Sequence, residues 1–383
     1  MSLPRRPDLE GARGIIVSAV VGYHALRLVL VRHGGDWGDV APMWWPAATG
    51  RLGVDAFFVL AGYLVVESWH SCRARAASTA SAVAEFARRR SWRILPPYLA
   101  MLVVVVPVAA PQVLTHGGDL AQLLTVQQYF DPALTQRVNV PIWSLTTEID
   151  FYLFAPIVAV LTARRLGWRI VLPASALAVW WAHTDARGDL PAGLLPGRLD
   201  QFLVGAAAGA LLAAWGRGER SRLVEVLTSR AALPVLCVAL VGVGTYHGAT
   251  WRTGDDGVLP LLVHPVAGWI LAGLLVRLIA GPTPRLLLNP ALVWLGGVSF
   301  SLYLWHYPIL EHGLAQVDAG QPTGLVTLFA LILVAAGVAV AALFRDLVEL
   351  PVRRREAARR RPADRPEEAA ERAVSTPLAR QPA

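Results

Sequence analysis

The sequence predicts an all-α fold: a polytopic membrane bundle of about ten spanning helices, with both termini cytoplasmic. Three observations lead there. The 383-residue chain is 55% hydrophobic and only 16% charged, with a mean hydropathy of +0.48. That balance is too apolar for a soluble protein of this length. Ten apolar segments each approach the roughly 20 residues that a spanning helix needs. The basic residues, all of them arginine, then crowd into alternate gaps between those segments. With a cytoplasmic N-terminus, the inner gaps and the tail hold 28 of the 35 arginines, and seven fall outside. An odd number of spans would spoil this asymmetry, so the positive-inside rule selects an even number. The net charge of +8 therefore reports topology, and no nucleic-acid partner is expected. Cys72 and Cys237 are the two cysteines; one lies in a basic loop and the other in an apolar segment, so no disulfide framework is indicated.

The segments run about 14–33, 52–70, 94–111, 143–162, 167–183, 199–215, 231–248, 258–280, 292–312 and 323–345. The first carries Arg13 at its mouth and His24 inside, and no small-residue cleavage site follows, so no cleavable leader is expected. Eleven positions at about 100° each make roughly three turns, which puts Arg13 and His24 on one helix face. The rise between them is about 16 Å, near half of a bilayer core of about 30 Å. A histidine at that depth must face protein or a wet cavity, which makes it a functional candidate. The second segment opens on Asp55, and the third follows the run Arg88-Arg89-Arg90-Ser91-Trp92-Arg93. Residues 112–142, rich in Gly and Pro, form the longest outer loop and are expected to cap that face. The fourth segment begins with Glu148 and Asp150; the fifth is separated from it only by a short basic turn. The sixth opens on Arg198 and Asp200. The ninth holds His306 between Trp305 and Tyr307. Two units result: a membrane domain over 1–345, and a polar tail over 346–383 that starts as a basic helix extension and is otherwise expected to be disordered.

By depth, the ionisable residues divide. Arg13 and the 88–93 run stand on the inner side. Asp55, Glu148, Asp150, Arg198, Asp200 and His306 stand toward the outer half, with His24 between. This pattern suits a polyanionic reactant held from inside, an acceptor reached from outside, and chemistry at mid-depth.

The Arg-x10-His pair, GRLGVDAFFVLAGYL (50–64), RRRSWRILPPY (88–98), WSLTTEIDFYL (143–153), GRLDQFLVG (197–205) and VSFSLYLWHYPI (298–309) together resemble the signature segments of the membrane acyltransferase-3 family. They occur in the family's order and extend to about residue 345. The resemblance implies about ten spans in a cell (cytoplasmic, or inner) membrane. It implies O-acyl transfer, often of acetyl, from cytosolic acyl-CoA to a hydroxyl of a glycan or glycosylated metabolite, as in polysaccharide O-acetylation. It assigns Arg13 and His24 to the essential pair, Arg90 and Arg93 to an Arg-x-x-Arg element that binds the donor, and Glu148 to the acid of the Trp-Ser-Leu block. Ala61 stands where a serine is common, and Ile149-Asp150 replace the frequent Glu-Gln.

Residue chemistry leads the same way. Acyl transfer from a thioester needs a base for the hydroxyl proton and a cation or donor for the tetrahedral oxyanion. An imidazole serves as that base, or as a transient acyl carrier, with Glu148 or Asp55 as candidates to orient it. Guanidinium forks suit the phosphates of acyl-CoA, expected to be acetyl-CoA. His306, Asp200 and Arg198 are the candidate acceptor contacts, and no metal is expected. Plainer readings compete. The 88–93 run also suits a membrane anchor, Arg13 a snorkelling helix end, and His306 an interfacial aromatic belt. Asp55 and Asp200 also suit helix caps. His264 and His247, like the other histidines without motif context, are expected to be structural. The alternative function is a transporter or flippase for a glycan or antibiotic.

Overall fold

Each of the ten apolar segments is helical in the computed structural model, which describes residues 6–32, 42–163, 167–183, 193–253, 258–318 and 320–359. The helices in chain order are α1 (Pro7–Arg32), α2 (Gly53–Arg73), α3 (Thr79–Ala109), α4 (Gly117–Leu124) and α5 (Pro132–Val138). There follow α6 (Trp143–Ala163), α7 (Gly167–His183), α8 (Leu199–Gly216), α9 (Arg222–Leu227) and α10 (Ala232–Thr253). Last come α11 (Val258–Ala280), α12 (Pro290–Gly297), α13 (Ser299–Ala315), α14 (Thr323–Phe344) and α15 (Leu350–Arg359). Among the described residues there is no strand, and eight helical stretches are long and apolar enough to cross a membrane. The two predicted spans that fall short of that length are α7 and α13, at 17 residues each. On α10, Val235, Val238 and Val241 are exposed, as suits a helix whose outer face meets lipid.

Two segments differ from the sequence reading. The third helix begins at Thr79 rather than near 94, because Ser78 and Ser81 form a reciprocal capping box (Oγ to N 3.1 and 3.0 Å). The arginine run is therefore helical, with Arg88 and Arg89 paired to Glu85 and Arg90 turned inward. The ninth apolar segment is two helices, broken at Val298. Gly296 and Gly297 are weak helix formers, and a Cβ on Gly296 would collide with the Glu10 carbonyl of α1. The tail begins as the expected helix extension: the last span continues through a single π turn, Arg345–Glu349, into α15, and Glu349 of the turn and Glu356 of α15 are buried against the bundle. The remainder of the tail, 360–383, lies outside the described residues.

The core centres on α2 and α8. Gly62 and Gly205 sit at their crossing, where a Cβ on either would strike the carbonyl of Phe202 or Val59 on the facing helix. Small residues let the backbones meet, which is how helices associate tightly in a bilayer. Phe58, Phe151 and Phe202 fill the space beside that crossing, the Phe202 ring centroid lying 4.6 Å from that of Phe58 and 4.2 Å from that of Phe151.

The 111–142 connection is not an open loop. Short helices fold it down, and its polar side chains turn inward: Gln128, Thr135 and Asn139 are buried. The Asn139 amide donates to the Leu304 carbonyl at 2.9 Å. That carbonyl is the one Pro308 leaves free, since proline has no N–H to return to residue i−4. The cap is thereby tied to the helix that carries His306.

Candidate active site

Two cavities line the face of α1. The first is bounded by Arg13, Arg90, Arg93, Glu148, Tyr152 and Ser299, among apolar neighbours. The second, about 340 Å³, is bounded by His24, Arg51, Asp55, Trp143, Arg198 and His264, among others. Val20, Val54 and Tyr303 belong to both walls. Arg13, Val20 and His24 are spaced seven and four residues apart, so one stripe of α1 runs through both chambers. Helix α13 runs beside it and clasps it twice. Arg13 donates to Ser299 Oγ at 2.9 Å, and His24 Nδ1 lies 3.0 Å from His306 Nε2. The break at Val298 is what presents Ser299 to Arg13.

In the first chamber the arginines differ. Arg90 is only 8% exposed and fully engaged. It donates to the Leu64 carbonyl (3.1 Å), Ser68 Oγ (2.9 Å) and the Tyr152 hydroxyl (3.3 Å), and lies over the Tyr152 ring at 4.8 Å. It joins α2, α3 and α6. Arg93, one turn on, lines the same cavity and has no hydrogen bond or ion pair among the described residues. Tyr152 also donates to Glu148, so Glu148 is coupled through Tyr152 to Arg90. The expectation of Glu148 beside His24 in the outer half is thus not what the structure gives. Glu148 stands five residues into α6, and its helical face turns to the arginine chamber.

In the second chamber Asp55 is 2% exposed. It accepts from His264 Nδ1 at 3.1 Å and from Arg198 at 3.2 Å. Arg198 also reaches His264 Nε2 at 3.4 Å and lies over the Trp143 ring at 5.7 Å. Asp55 therefore orients His264, not His24. The partner of His24 is His306, which is 1% exposed and does not line the cavity. Asp200 lines neither chamber: it faces α7, where Ser175 Oγ donates to it at 3.4 Å. Tyr303, at the junction, is pinned by donating to the Pro141 carbonyl at 2.6 Å and contacts Ser144 Oγ at 3.0 Å.

Sequence reasoning missed His264, Arg51 and Tyr303. Arg51 precedes Asp55 by four residues, a spacing that brings side chains together on a helix; Tyr303 lies three before His306 on the same face. His264, alone in an apolar segment, carries no such signal. Among the described residues no group of three or more His, Cys, Asp or Glu side chains gathers as metal ligands would.

Known proteins resemble the chain over most of its length. The chain is 26% identical to the peptidoglycan O-acetyltransferase OatA of Listeria monocytogenes, over 91% of its own length and 56% of that protein. It is 26% identical to the acyltransferase MdmB of Streptomyces mycarofaciens, over 96% of this chain and 97% of that one. It is 27% identical to the putative membrane-bound transacylase BcsY of Komagataeibacter xylinus, over 79% and 72%. The chain thus spans little more than half the length of the first of these relatives and nearly all of the second. No solved structure matches it. The acyltransferase-domain family model, that of the acyltransferase-3 proteins, matches residues 6–346, and the chain belongs to that family of membrane acyltransferases.

Proposed function

We propose that the protein is an acyl-CoA-dependent O-acyltransferase of the cytoplasmic membrane, with His24 as its general base. The observation that carries this reading is the stripe Arg13–Val20–His24, which links a chamber lined by Arg13, Arg90 and Arg93 to a chamber lined by His24 and His264, aromatic rings, and a buried acid held by Arg198. In the arginine chamber, Arg93 and Arg13 bind the phosphates of the donor as guanidinium forks do. The acyl thioester reaches the junction at Val20, Val54 and Tyr303. In the second chamber the acceptor sugar lies against Trp143 and Tyr129, and its polar groups meet Arg198 and Asp55. The acceptor hydroxyl oxygen attacks the thioester carbonyl carbon while its proton passes to His24. The tetrahedral intermediate collapses with cleavage of the C–S bond. The departing sulfur takes the proton from His24, giving free coenzyme A and an ester. The acceptor class is a glycan or a glycosylated metabolite: one relative is named for peptidoglycan, and MdmB, which the chain matches end to end, carries no glycan in its name.

Membranes containing the protein are expected to release free coenzyme A from acetyl-CoA only when an acceptor is present, and His24→Ala is expected to abolish that release at unchanged protein level. A flippase would consume no thioester. A burst of coenzyme A without acceptor would instead indicate an acyl-histidine intermediate. Near wild-type turnover by His24→Ala would overturn the general-base assignment.

A further inference from the structure

His24 can act as a base only through the ring nitrogen that carries a lone pair, and the histidine behind it decides which nitrogen that is. His306 sits in α13 with Nδ1 2.9 Å from the carbonyl oxygen of Leu302, one turn back. A carbonyl oxygen only accepts, so Nδ1 of His306 carries a proton. In a neutral imidazole the other nitrogen, Nε2, is then an acceptor. That Nε2 lies 3.0 Å from Nδ1 of His24, so His24 donates from Nδ1 and keeps its lone pair on Nε2.

The neutral state of both rings has its own support. Among the described residues neither ring bonds a carboxylate; Asp55, the acid of the same chamber, is held by His264 and Arg198. An unpaired charge so placed would be costly. The alternative, a protonated His306 donating from both nitrogens, would need such a charge inside α13. The ring pair is also held in place. The His24 and His306 centroids are 5.1 Å apart with planes at 28°, and Tyr307 stands edge-on to His24 at 5.3 Å. Asn139 secures the α13 backbone two residues before His306.

We propose that His306 is the positioning residue that fixes His24 in its Nδ1–H tautomer, so that Nε2 of His24 is the atom that takes the acceptor's proton. This rests on the general-base reading of His24. His306 itself touches no reactant. Its role is that of the buried partner behind a catalytic histidine, played here by a neutral imidazole braced on a backbone carbonyl rather than by a carboxylate.

Two substitutions and one spectrum test it, on the full chain reconstituted in lipid with acetyl-CoA as donor. His306→Gln offers an amide oxygen to His24 Nδ1–H and an amide N–H to the Leu302 carbonyl. His306→Leu offers neither. His306→Gln is expected to keep kcat within about fivefold of wild type, whereas His306→Leu loses on the order of 100-fold in kcat with acceptor KM unchanged, as for loss of tautomer control without loss of binding. In the 15N spectrum of histidine-labelled wild-type protein, the His24 signals, assigned by their absence in His24→Ala, are expected to show a protonated Nδ1 and an unprotonated Nε2. The spectrum decides the matter even where a variant folds poorly. The proposal is overturned by the opposite tautomer, by near wild-type kcat in His306→Leu, or by equal loss in the Gln and Leu variants. Activity surviving in His24→Ala would instead remove the general-base reading beneath it.

Discussion

Arg90 and Arg93 are one turn apart in α3 and bear the same charge, yet their surroundings assign them different work. Arg90 bonds two helices besides its own through Ser68, the Leu64 carbonyl and Tyr152. Removing it breaks those three bonds, and hydrogen bonds to charged groups contribute about 1.5–3 kcal/mol each. Arg90→Ala is therefore expected to lower thermal stability by several degrees, measured by fluorescence-detected unfolding in detergent. Arg93 lines the cavity without such bonds, so Arg93→Ala is expected to leave stability intact and raise the donor KM about tenfold, the equivalent of about 1.4 kcal/mol. Arg93→Lys keeps the charge but loses the fork, and recovers part of that loss. An unchanged donor KM in Arg93→Ala would return this residue to the anchor reading. Glu148 belongs with them. Because it meets Tyr152 in the arginine chamber, Glu148→Gln is expected to change donor kinetics and leave the acceptor KM unmoved; a change confined to acceptor KM would contradict that placement.

At the scale of elements, the capping segment and α13 form one device. Pro308 frees the Leu304 carbonyl and Asn139 satisfies it. Leaving a buried carbonyl unpaired costs about 1–3 kcal/mol, so Asn139→Ala is expected to lower stability by that order and to reduce turnover as His306 loses its support. Pro308→Ala restores the missing N–H to the helix. Asn139→Ala should then cost distinctly less in the Pro308→Ala background than in wild type, a coupling that a double-mutant cycle of unfolding measurements reads directly. Additive losses would show that the Asn139 contact is not what holds α13. The break between α12 and α13 has the same local logic. A weak Gly-Gly pair gives way where α1 passes close, and the new helix start places Ser299 beneath Arg13.

For the whole molecule, the arginine asymmetry makes a topological prediction that the bundle does not itself decide. The 71–93 segment and the 346–383 tail are expected on the cytosolic side. Of the native cysteines Cys72 is buried and Cys237 exposed, so a Cys237→Ser background suits labelling. Single cysteines replacing Ala77 and Ala357 should then react from the same side with an impermeant maleimide. Reaction from opposite sides would overturn the ten-span arrangement with both ends inside.

The local pattern of the chain determined the helices, the shared face of Arg13 and His24, and the crowding of arginine at one end of the spans. All three depend on periodicity along one helix and on the cost of placing charge in lipid, which neighbouring residues express by themselves. Partnership is different. Residues 24 and 306 are 282 positions apart, and nothing in either segment states that they meet. The rotation of each helix about its axis is set by close crossings such as Gly62 on Gly205 and by which side chains fill the space between. Only those tertiary contacts turned Glu148 toward Tyr152 and Arg90, turned Asp55 toward His264 and Arg198, sent Asp200 to Ser175, and brought His306 behind His24.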